Sequence, residues 1–236
     1  MFRKTAHLYD LIYEAQGKDY GAESAEVSSL IRERNPQATL LLDVACGTGG
    51  HLAHLRQWYE VEGLDADAGM LAQARSRLGD VPLHEADMRS FALGRRFDAV
   101  ICLFSSIGYM ESADELDRAI FNMADHLGPR GVLIVDGWVR PDQWREPGTT
   151  HVETAKDEEM TVVRASRSRR EGKATHLEMH HLVVTLDGIE HLVDHHVLSL
   201  FTPAEYEAAF TKAGLRFQVT ASPMAGRDRY VATKPT

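Results

Sequence analysis

The sequence predicts an α/β fold with a doubly wound, mostly parallel sheet and an antiparallel β insertion after the fifth strand. Two observations lead to this prediction. Over residues 39–135, short apolar runs typical of buried parallel strands alternate with stretches whose apolar residues recur at helical spacing. From about residue 142, long and mostly polar stretches alternate in the manner of antiparallel strands.

Glycines mark the first two strand–helix units. Residues 39–44 (TLLLDV) form an almost wholly apolar run, glycines follow it closely, and apolar residues then recur at helical spacing over 52–58. Residues 61–64 predict a second strand, and 70–78 predict a helix that stops at Gly79. This succession of strand, turn and helix is the unit from which parallel sheets are built.

A capping signal starts the next helix. Residues 97–104 (FDAVICLF) predict a buried strand, and Ser112 with Glu115 three residues later forms a capping box. The helix that follows carries apolar residues as far as Leu127, where a glycine and a proline end it. Residues 131–135 then predict the fifth strand.

The remaining chain divides into an insertion and a return to the main sheet. Antiparallel strands are predicted around residues 160–169, 174–186 and 189–200. Pro203 follows Thr202 at the start of a new helix, and two closing strands are predicted at 215–221 and 229–233. We therefore expect a main domain of residues 1–141 and 201–236, and an insertion of residues 142–200.

Composition restricts the class of protein. The 236 residues are 44% hydrophobic, which suits one main domain, and the net charge of -9 argues against attraction to nucleic acid or to an anionic membrane. Cys46 and Cys102 both lie in apolar runs, as buried thiols do in a reducing compartment. No signal-peptide core or membrane span is visible, so a cytoplasmic location is expected.

The strongest chemical signal is the turn after the first strand, LLDVACGTGG over residues 41–50. The missing side chains at Gly47 and Gly49 let a cofactor lie against the main chain, and Asp43 is placed to hold an ammonium group. Because the same glycine spacing also fits a dinucleotide site, this turn alone leaves the cofactor open.

Two later carboxylates narrow the choice of cofactor. Asp65 ends the second strand, where an acid can bind both hydroxyls of a ribose in nucleotide and S-adenosylmethionine (SAM) sites alike. Asp87 and Met88 follow a short third strand around Leu83, where the acid can accept from an adenine amine while the methionine packs on the ring. This pair favours SAM.

The motifs DVACGTG, GLDADAGML, HEADMRSF and FSSIGYM occur in this order. With them the chain resembles the class I SAM-dependent methyltransferases, whose fold is Rossmann-like. More narrowly, it resembles the N,N-dimethyltransferases that act on dTDP-3-amino-3,6-dideoxyhexoses in desosamine and mycaminose biosynthesis. The narrower likeness includes Tyr9-Asp10-Leu11, Arg170-Glu171-Gly172 and the late EYEAAF of residues 205–210.

This resemblance implies roles for particular residues. Seven positions would line the cofactor pocket: Tyr9, Tyr20, Ala45, Asp65, Asp87, Met88 and Leu103. Tyr109 would lie beside the acceptor amine as the catalytic residue, and Arg227 would pair with the diphosphate. The substrate positions would also include Ser166, Ser168 and Arg170 of the insertion, which would cover the substrate site. Phe2 and Trp138 also fall at substrate positions. The family often has a tyrosine near the place of Phe2, and tends to have two tryptophans and a phenylalanine where this chain has Trp138-Val139-Arg140.

The insertion is rich in histidine, at His176, His180, His181, His191, His195 and His196. Along a strand His176 and His180 share a face that His181 does not, and no thiol or carboxylate completes a set of metal ligands. We expect no metal site, and interpret these histidines as polar faces of the insertion.

The functional hypothesis is SAM-dependent N-methylation of a dTDP-linked aminodeoxysugar, carried through to the dimethylamine. One alternative keeps SAM but changes the acceptor to an amino acid or a polyketide. Another is a noncatalytic, adenosine-binding partner protein. The expected partner is a small nucleotide sugar, not nucleic acid or a membrane, and a homodimer is left open.

Overall fold

The structure is a computed structural model that describes residues 5–221 and 226–235. Phe2, predicted at the substrate, lies outside the described residues. The helices are α1 (Tyr9–Ala15), α2 (Tyr20–Arg34), α3 (Gly50–Leu55), α4 (Ala68–Leu78), α5 (Ala113–Asp125) and α6 (Pro203–Lys212). The strands are β1 (Leu40–Val44), β2 (Glu60–Asp65), β3 (Leu83–Glu85), β4 (Phe97–Cys102), β5 (Leu127–Asp136), β6 (Gly148–Lys156), β7 (Thr161–Glu171), β8 (Ala174–Thr185), β9 (Gly188–Ser199), β10 (Arg216–Ala221) and β11 (Asp228–Thr233).

Seven strands form the central sheet in the order β10-β11-β5-β4-β1-β2-β3. Strands β1 to β5 are parallel, whereas β11 runs antiparallel to both β5 and β10. The chain reverses its direction of winding at β1, which lies between β2 and β4. The predicted doubly wound, mostly parallel sheet is confirmed, and the carboxyl ends of these three strands meet beside one another.

Both faces of this sheet are covered. Leu41 packs into a buried cluster with side chains of α2, α3 and α4, whereas its neighbour Leu42 packs into a cluster with α5 and α6. Successive side chains of a strand point to opposite faces, so a strand buried on both sides is apolar throughout. This explains the continuous apolar runs of the sequence.

The start of α5 follows the capping prediction only in part. The Ser112 side chain accepts from the backbone N–H of Glu115, but the Glu115 carboxylate accepts from Glu111 at 2.9 Å instead of from Ser112. The helix also ends at Asp125, because Leu127 pairs with Phe97 of β4 and so begins the fifth strand four residues earlier than predicted. At α6 the capping box at Thr202 and Glu205 is complete.

The insertion forms a second, four-stranded antiparallel sheet in the order β6-β7-β8-β9. Three of its strands were predicted, but β6 was not. Of the nine residues of β6 only Ala155 is buried, so its sequence carries little apolar alternation. One face of this sheet packs on Leu8 and Ile12 of the N-terminal segment through Val162 and Val183.

Helices α1 and α2 were not predicted from the sequence. On α2 the buried face includes Ser24 and Ser28 beside Val27 and Ile31, which weakens the apolar periodicity. Among the described residues no helix is both long and apolar enough to cross a membrane.

Candidate active site

A cavity of about 270 Å³ opens at the carboxyl ends of β1 and β2. It is lined by seven of the predicted site residues: Tyr9, Ala45, Gly47, Asp65, Asp87, Met88 and Tyr109. A smaller cavity of about 40 Å³ adjoins it and brings in three more: Tyr20, Asp43 and Leu103. Because Tyr9, Ala45 and Gly47 line both, the two cavities form one continuous site.

Gly49 lines neither cavity. It is the N-terminal cap of α3 with a φ of 75°, and an added Cβ would lie 2.6 Å from Leu78 Cδ1. The need for glycine at this position therefore comes from its left-handed backbone, together with the close approach of Leu78. Gly47, with a φ of 56°, would place a Cβ with no atom within 4 Å, so there the backbone conformation is what favours glycine.

Asp43 presents a buried carboxylate to the smaller cavity. The residue is 2% exposed, and no hydrogen-bond donor of the described chain reaches its Oδ2 atom. Burial raises the pKa of Asp43 well above its usual value, the charge of Asp65 adds to this, and Lys18 opposes it. A buried, unsatisfied carboxylate oxygen that faces a cavity is suited to a cationic ligand.

Lys18 also lines the smaller cavity, and no role was predicted for it. Its ammonium lies 2.6 Å from the Glu23 carboxylate and 3.8 Å from the centre of the Phe104 ring. Glu23 in turn lies 2.8 Å from His51 Nε2. Burial lowers the pKa of Lys18, while the contact with Glu23 acts in the opposite direction. These groups give the smaller cavity a polar wall opposite the glycine turn.

Asp65 shapes the turn after β1 as well as lining the larger cavity. Its Oδ2 accepts from the backbone N–H of Gly47 at 2.9 Å, and its Oδ1 accepts from that of Asp67 at 2.8 Å. Burial raises the pKa of Asp65, whereas these two backbone donors lower it. The carboxylate therefore fixes the backbone of the glycine turn from the neighbouring strand.

Asp87 is held by Arg89. The Arg89 Nε donates to Asp87 Oδ1 at 2.9 Å, and another guanidinium nitrogen donates to Glu115 at 2.6 Å. The hydrogen bond from Arg89 lowers the pKa of Asp87. Asp87 is thus an ionised acceptor at the cavity wall, as a partner for an amino group must be.

Asp10 connects α1 to the cavity wall. It accepts from Tyr20 at 3.1 Å, from Thr48 at 2.8 Å and from Arg77 at 2.7 Å. Its neighbour Tyr9 lines both cavities.

Tyr109 lies on a short 3₁₀ turn, Ser106–Tyr109, after β4. Its hydroxyl is 2.8 Å from Nδ1 of His196, which is 3% exposed and comes from β9 of the insertion. Burial raises the pKa of Tyr109 and lowers that of His196 to about 4. His196 is a site residue that the sequence did not single out.

A buried ion pair supports the turn that leads to Tyr109. Phe104 and Ser105 both have positive φ values, 57° and 67°. The Phe104 N–H donates to Asp136 at 3.1 Å, and Asp136 is bound by Arg229 at 2.7 Å. Arg229 is 2% exposed and also lies 3.1 Å from Glu26 of α2. Neither member of this pair was predicted.

A third cavity, of about 380 Å³, lies between the main sheet and the insertion, and Trp138 and Ser168 line it. The Arg227 guanidinium stacks 4.3 Å from the centre of the Trp138 ring and donates to Ser105 at 3.0 Å. Burial lowers the pKa of Arg227 to about 10. Ser105 precedes the turn of Tyr109, so Arg227 connects the third cavity to the turn that carries Tyr109.

Ser166 and Arg170 line none of these three cavities. Ser166 makes a 3.5 Å contact with the carbonyl of His151, and Arg170 donates to that of Gly172 at 2.8 Å. Neither of these two predicted substrate residues lines the third cavity, whose Trp138 stacks on Arg227.

The interpretation of the histidines as outward polar faces was wrong for two of them. His181 is 2% exposed, and like His196 it lies on the buried face of the second sheet. Alternation along β8 and β9 sends His180 and His191 to the other face, where their rings stack. Among the described residues no group of three or more His, Cys, Asp or Glu side chains is arranged to hold a metal ion.

Several known proteins resemble this chain. A family model described as a methyltransferase domain matches residues 41–131. The dTDP-3-amino-3,6-dideoxy-alpha-D-glucopyranose N,N-dimethyltransferase of Streptomyces fradiae is 47% identical over 227 residues, which are 95% of this chain and 89% of that protein.

Two solved structures share nearly the whole fold. Streptomyces venezuelae DesVI has a TM-score of 0.93 and 43% identity, over 98% of both chains. SAM-bound CalS10, an amino pentose methyltransferase from Micromonospora echinaspora, has a TM-score of 0.87 and 39% identity, over 96% of both chains.

Proposed function

Because the chain belongs to the family of SAM-dependent N-methyltransferases that includes the dTDP-aminosugar N,N-dimethyltransferases, we propose that it methylates the amino group of a dTDP-linked aminodeoxysugar twice. The observation that carries this proposal is the identity of 47% with a dTDP-aminosugar N,N-dimethyltransferase over 95% of the chain. A likeness of this extent includes the insertion as well as the common methyltransferase core.

The lining of the two joined cavities fits SAM. Asp43, a buried carboxylate with an unsatisfied oxygen, would take the ammonium group of the methionine part. Asp65 would accept from the ribose hydroxyls, and Asp87, kept ionised by Arg89, would accept from the adenine amine beside Met88. The bound cofactor supplies a methyl group that is already activated on a sulfonium.

The chain itself therefore has to orient the acceptor amine rather than supply a strong base. Alignment of a nucleophile with its target is worth several kcal/mol of the barrier, on the order of 7 or more in well-oriented systems. Tyr109, at the wall of the larger cavity, would hold the amine. Its raised pKa keeps the phenol protonated at neutral pH, which limits any direct role as a base.

We place the diphosphate at Arg227. This guanidinium is stacked on Trp138 and directed to Ser105, close to the turn of Tyr109. The insertion, residues 142–200, would cover the substrate, a proposal supported by His196 at Tyr109, Val197 at the larger cavity and Ser168 at the third.

The test is turnover of defined acceptors. Purified protein with SAM labelled in the methyl group is incubated with dTDP-3-amino- and dTDP-4-amino-deoxysugars, and products are identified by mass. Monomethyl and then dimethyl products support the proposal. Methylation of amino acids or polyketides alone would move the acceptor to another class, and binding without any turnover would indicate a noncatalytic adenosine-binding protein.

We also propose that the protein is a cytoplasmic homodimer. The outer face of the second sheet exposes Leu182, Val184, Ile189 and Val193, and β9 is an edge strand of that sheet. A second copy can cover this face by two-fold symmetry with the same residues. Sedimentation velocity measures the assembly, and a monomeric species at micromolar concentration would contradict the homodimer.

The cytoplasmic location is supported by the cysteines. Cys46 and Cys102 are both free and buried, which suits a reducing compartment.

A further inference from the structure

We propose that His196 is a positioning residue for methyl transfer: it accepts the hydrogen bond of the Tyr109 hydroxyl, so that the lone pairs of the phenol oxygen face the acceptor amine. This inference rests on the proposed function, because it assumes an amine beside Tyr109. It assigns a catalytic consequence to a side chain of the insertion, a part of the chain remote from the cofactor motifs.

The contact that carries the inference joins two distant parts of the chain. Tyr109 follows β4 and lines the larger cavity, whereas His196 lies 87 residues later on the buried face of β9. The distance from Oη to Nδ1 is 2.8 Å, which is within the range of a strong neutral hydrogen bond. Within the described chain, this ring nitrogen is the single hydrogen-bond partner of the Tyr109 hydroxyl.

Chemistry decides which of the two groups donates. An amine attacks a methyl carbon through its lone pair, so a hydroxyl hydrogen pointing at the amine would compete for that lone pair. If Tyr109 donates to His196, its oxygen is instead an acceptor for the amine N–H. The amine is then held by its hydrogens, and its lone pair stays available for the transfer.

The surroundings of His196 agree with this direction. Asp194 lies on the same face of β9, and its charge favours a protonated imidazole, while His181 and His195 oppose protonation. Burial is the largest effect and leaves the imidazole uncharged at neutral pH, with a pKa lowered to about 4. A neutral ring that accepts at Nδ1 carries its proton on Nε2.

This arrangement also bears on where methylation stops. A primary amine offers two N–H groups to the Tyr109 oxygen and a secondary amine offers one. Each transfer forms a nitrogen–carbon bond as the carbon–sulfur bond of SAM breaks, and the resulting ammonium must pass one proton to water. The neutral dimethylamine then offers no N–H group, so the product loses the contact that held each substrate. Tyr109 and His196 together therefore favour two rounds of transfer followed by release.

The experiment compares kcat and KM for a dTDP-aminosugar across five proteins: wild type, His196→Ala, His196→Asn, Tyr109→Phe and the double variant Tyr109→Phe/His196→Ala. We expect His196→Ala to lower kcat about 10-fold with KM changed by less than about 3-fold, and His196→Asn to recover most of the loss through its side-chain oxygen. In the Tyr109→Phe background His196→Ala should add less than about 2-fold, because the hydroxyl it orients is absent.

His195→Ala is the matched control, since His195 is the preceding residue of β9 and is directed to the opposite, exposed face. Its kcat should stay within about 2-fold of wild type. Two results would overturn the proposal and indicate a structural role. One is a double variant whose loss in kcat equals the product of the two single losses, and the other is a change in KM for His196→Ala with kcat unaffected. Melting temperatures of all variants identify any that fail to fold.

A second measurement does not depend on turnover. Nitrogen-15 NMR of histidine-labelled protein, with the His196 signals identified by their loss in His196→Asn, reports which ring nitrogen is protonated. An unprotonated Nδ1 supports the proposal, and a protonated Nδ1 overturns it. If the wild type methylates no amine, the proposed function fails, and the NMR result still decides the direction of this hydrogen bond.

Discussion

At the scale of single residues, Asp43 combines a cost to the fold with a use in the site. Its carboxylate is buried, and one oxygen has no hydrogen-bond donor within the described residues. An acid whose pKa is raised by folding binds more protons folded than unfolded, so its stability contribution is lost as pH rises above the unfolded value of about 4. Ionisation of Asp43 at neutral pH is therefore unfavourable, which Lys18 offsets in part and a bound cationic ligand would offset further.

Asp43→Asn should therefore separate stability from binding. We expect the free energy of unfolding at pH 7 to be unchanged or higher, and the affinity for S-adenosylhomocysteine to fall by about 10-fold or more, or about 1.4 kcal/mol. Urea denaturation and calorimetry measure the two quantities. Asp80→Asn, at an exposed carboxylate, is the control and should change neither. Undiminished affinity in Asp43→Asn would refute the assignment of the ammonium group.

Arg227 is the residue that would distinguish a nucleotide sugar from a simpler amine. Hydrogen bonds to charged groups contribute about 1.5–3 kcal/mol, so Arg227→Ala should raise KM for a dTDP-aminosugar by about 10- to 100-fold with kcat little changed. Steady-state kinetics check this, with Arg169→Ala, an exposed arginine of β7, as the control. An unchanged KM would remove the diphosphate from this position.

Which site residues the sequence can reveal depends on what holds them. Asp43, Asp65 and Asp87 were predicted together because parallel topology brings the ends of successive strands to one edge. Lys18 and His196 were not, since their roles arise from contacts between segments that no local pattern relates. The burial of His181 was not predicted either. Alternation along a strand defines two faces, but it does not show which of them is covered.

At the scale of elements, the apolar pattern predicted a strand reliably where both faces of that strand are buried. The runs that became β1 and β4 were predicted within one or two residues, because both of their faces are buried. Helix α2 was missed because serines occupy part of its buried face, and β6 because it is mostly exposed. The boundary of β5 moved because a cross-strand pair, Phe97 with Leu127, outweighs the local turn signal.

The end of β5 and the start of β11 are joined by a buried ion pair that also supports the turn before Tyr109. Arg229→Met would leave Asp136 buried without its cation, which typically costs about 3–5 kcal/mol. Urea unfolding measures this loss. Arg216→Met, at an exposed arginine of the neighbouring strand β10, should cost less than about 0.5 kcal/mol. A loss below about 1 kcal/mol in Arg229→Met would show that the pair is not a structural anchor.

At the scale of the whole molecule, the cofactor cavities and the insertion are coupled through few contacts. The central sheet supplies the carboxylates, whereas the second sheet reaches the site through His196 and Val197 of β9. The parallel strands of the Rossmann-like part were predictable because strand and helix alternate there in a repeated unit, although α1 and α2 were missed. How the insertion lies on it was not, because the cross-contacts involve single side chains such as Thr175, which accepts from Trp138 at 3.1 Å.

Binding to this molecule should be visible as a change in its global stability. A ligand bound only by the folded state at 100 times its Kd stabilises by about 2.7 kcal/mol, which for a chain of this length corresponds to a rise in Tm of about 5–10 °C. We expect such a rise with S-adenosylhomocysteine, and a further rise when dTDP is added, because the sites proposed for the two ligands are different. Differential scanning fluorimetry measures both shifts.

GDP in place of dTDP controls for nonspecific effects of a nucleoside diphosphate, and Arg227→Ala should abolish the dTDP increment while keeping that of S-adenosylhomocysteine. If S-adenosylhomocysteine leaves the Tm of the folded wild type unchanged at saturating concentration, the carboxylates at the ends of β1 and β2 do not form its site.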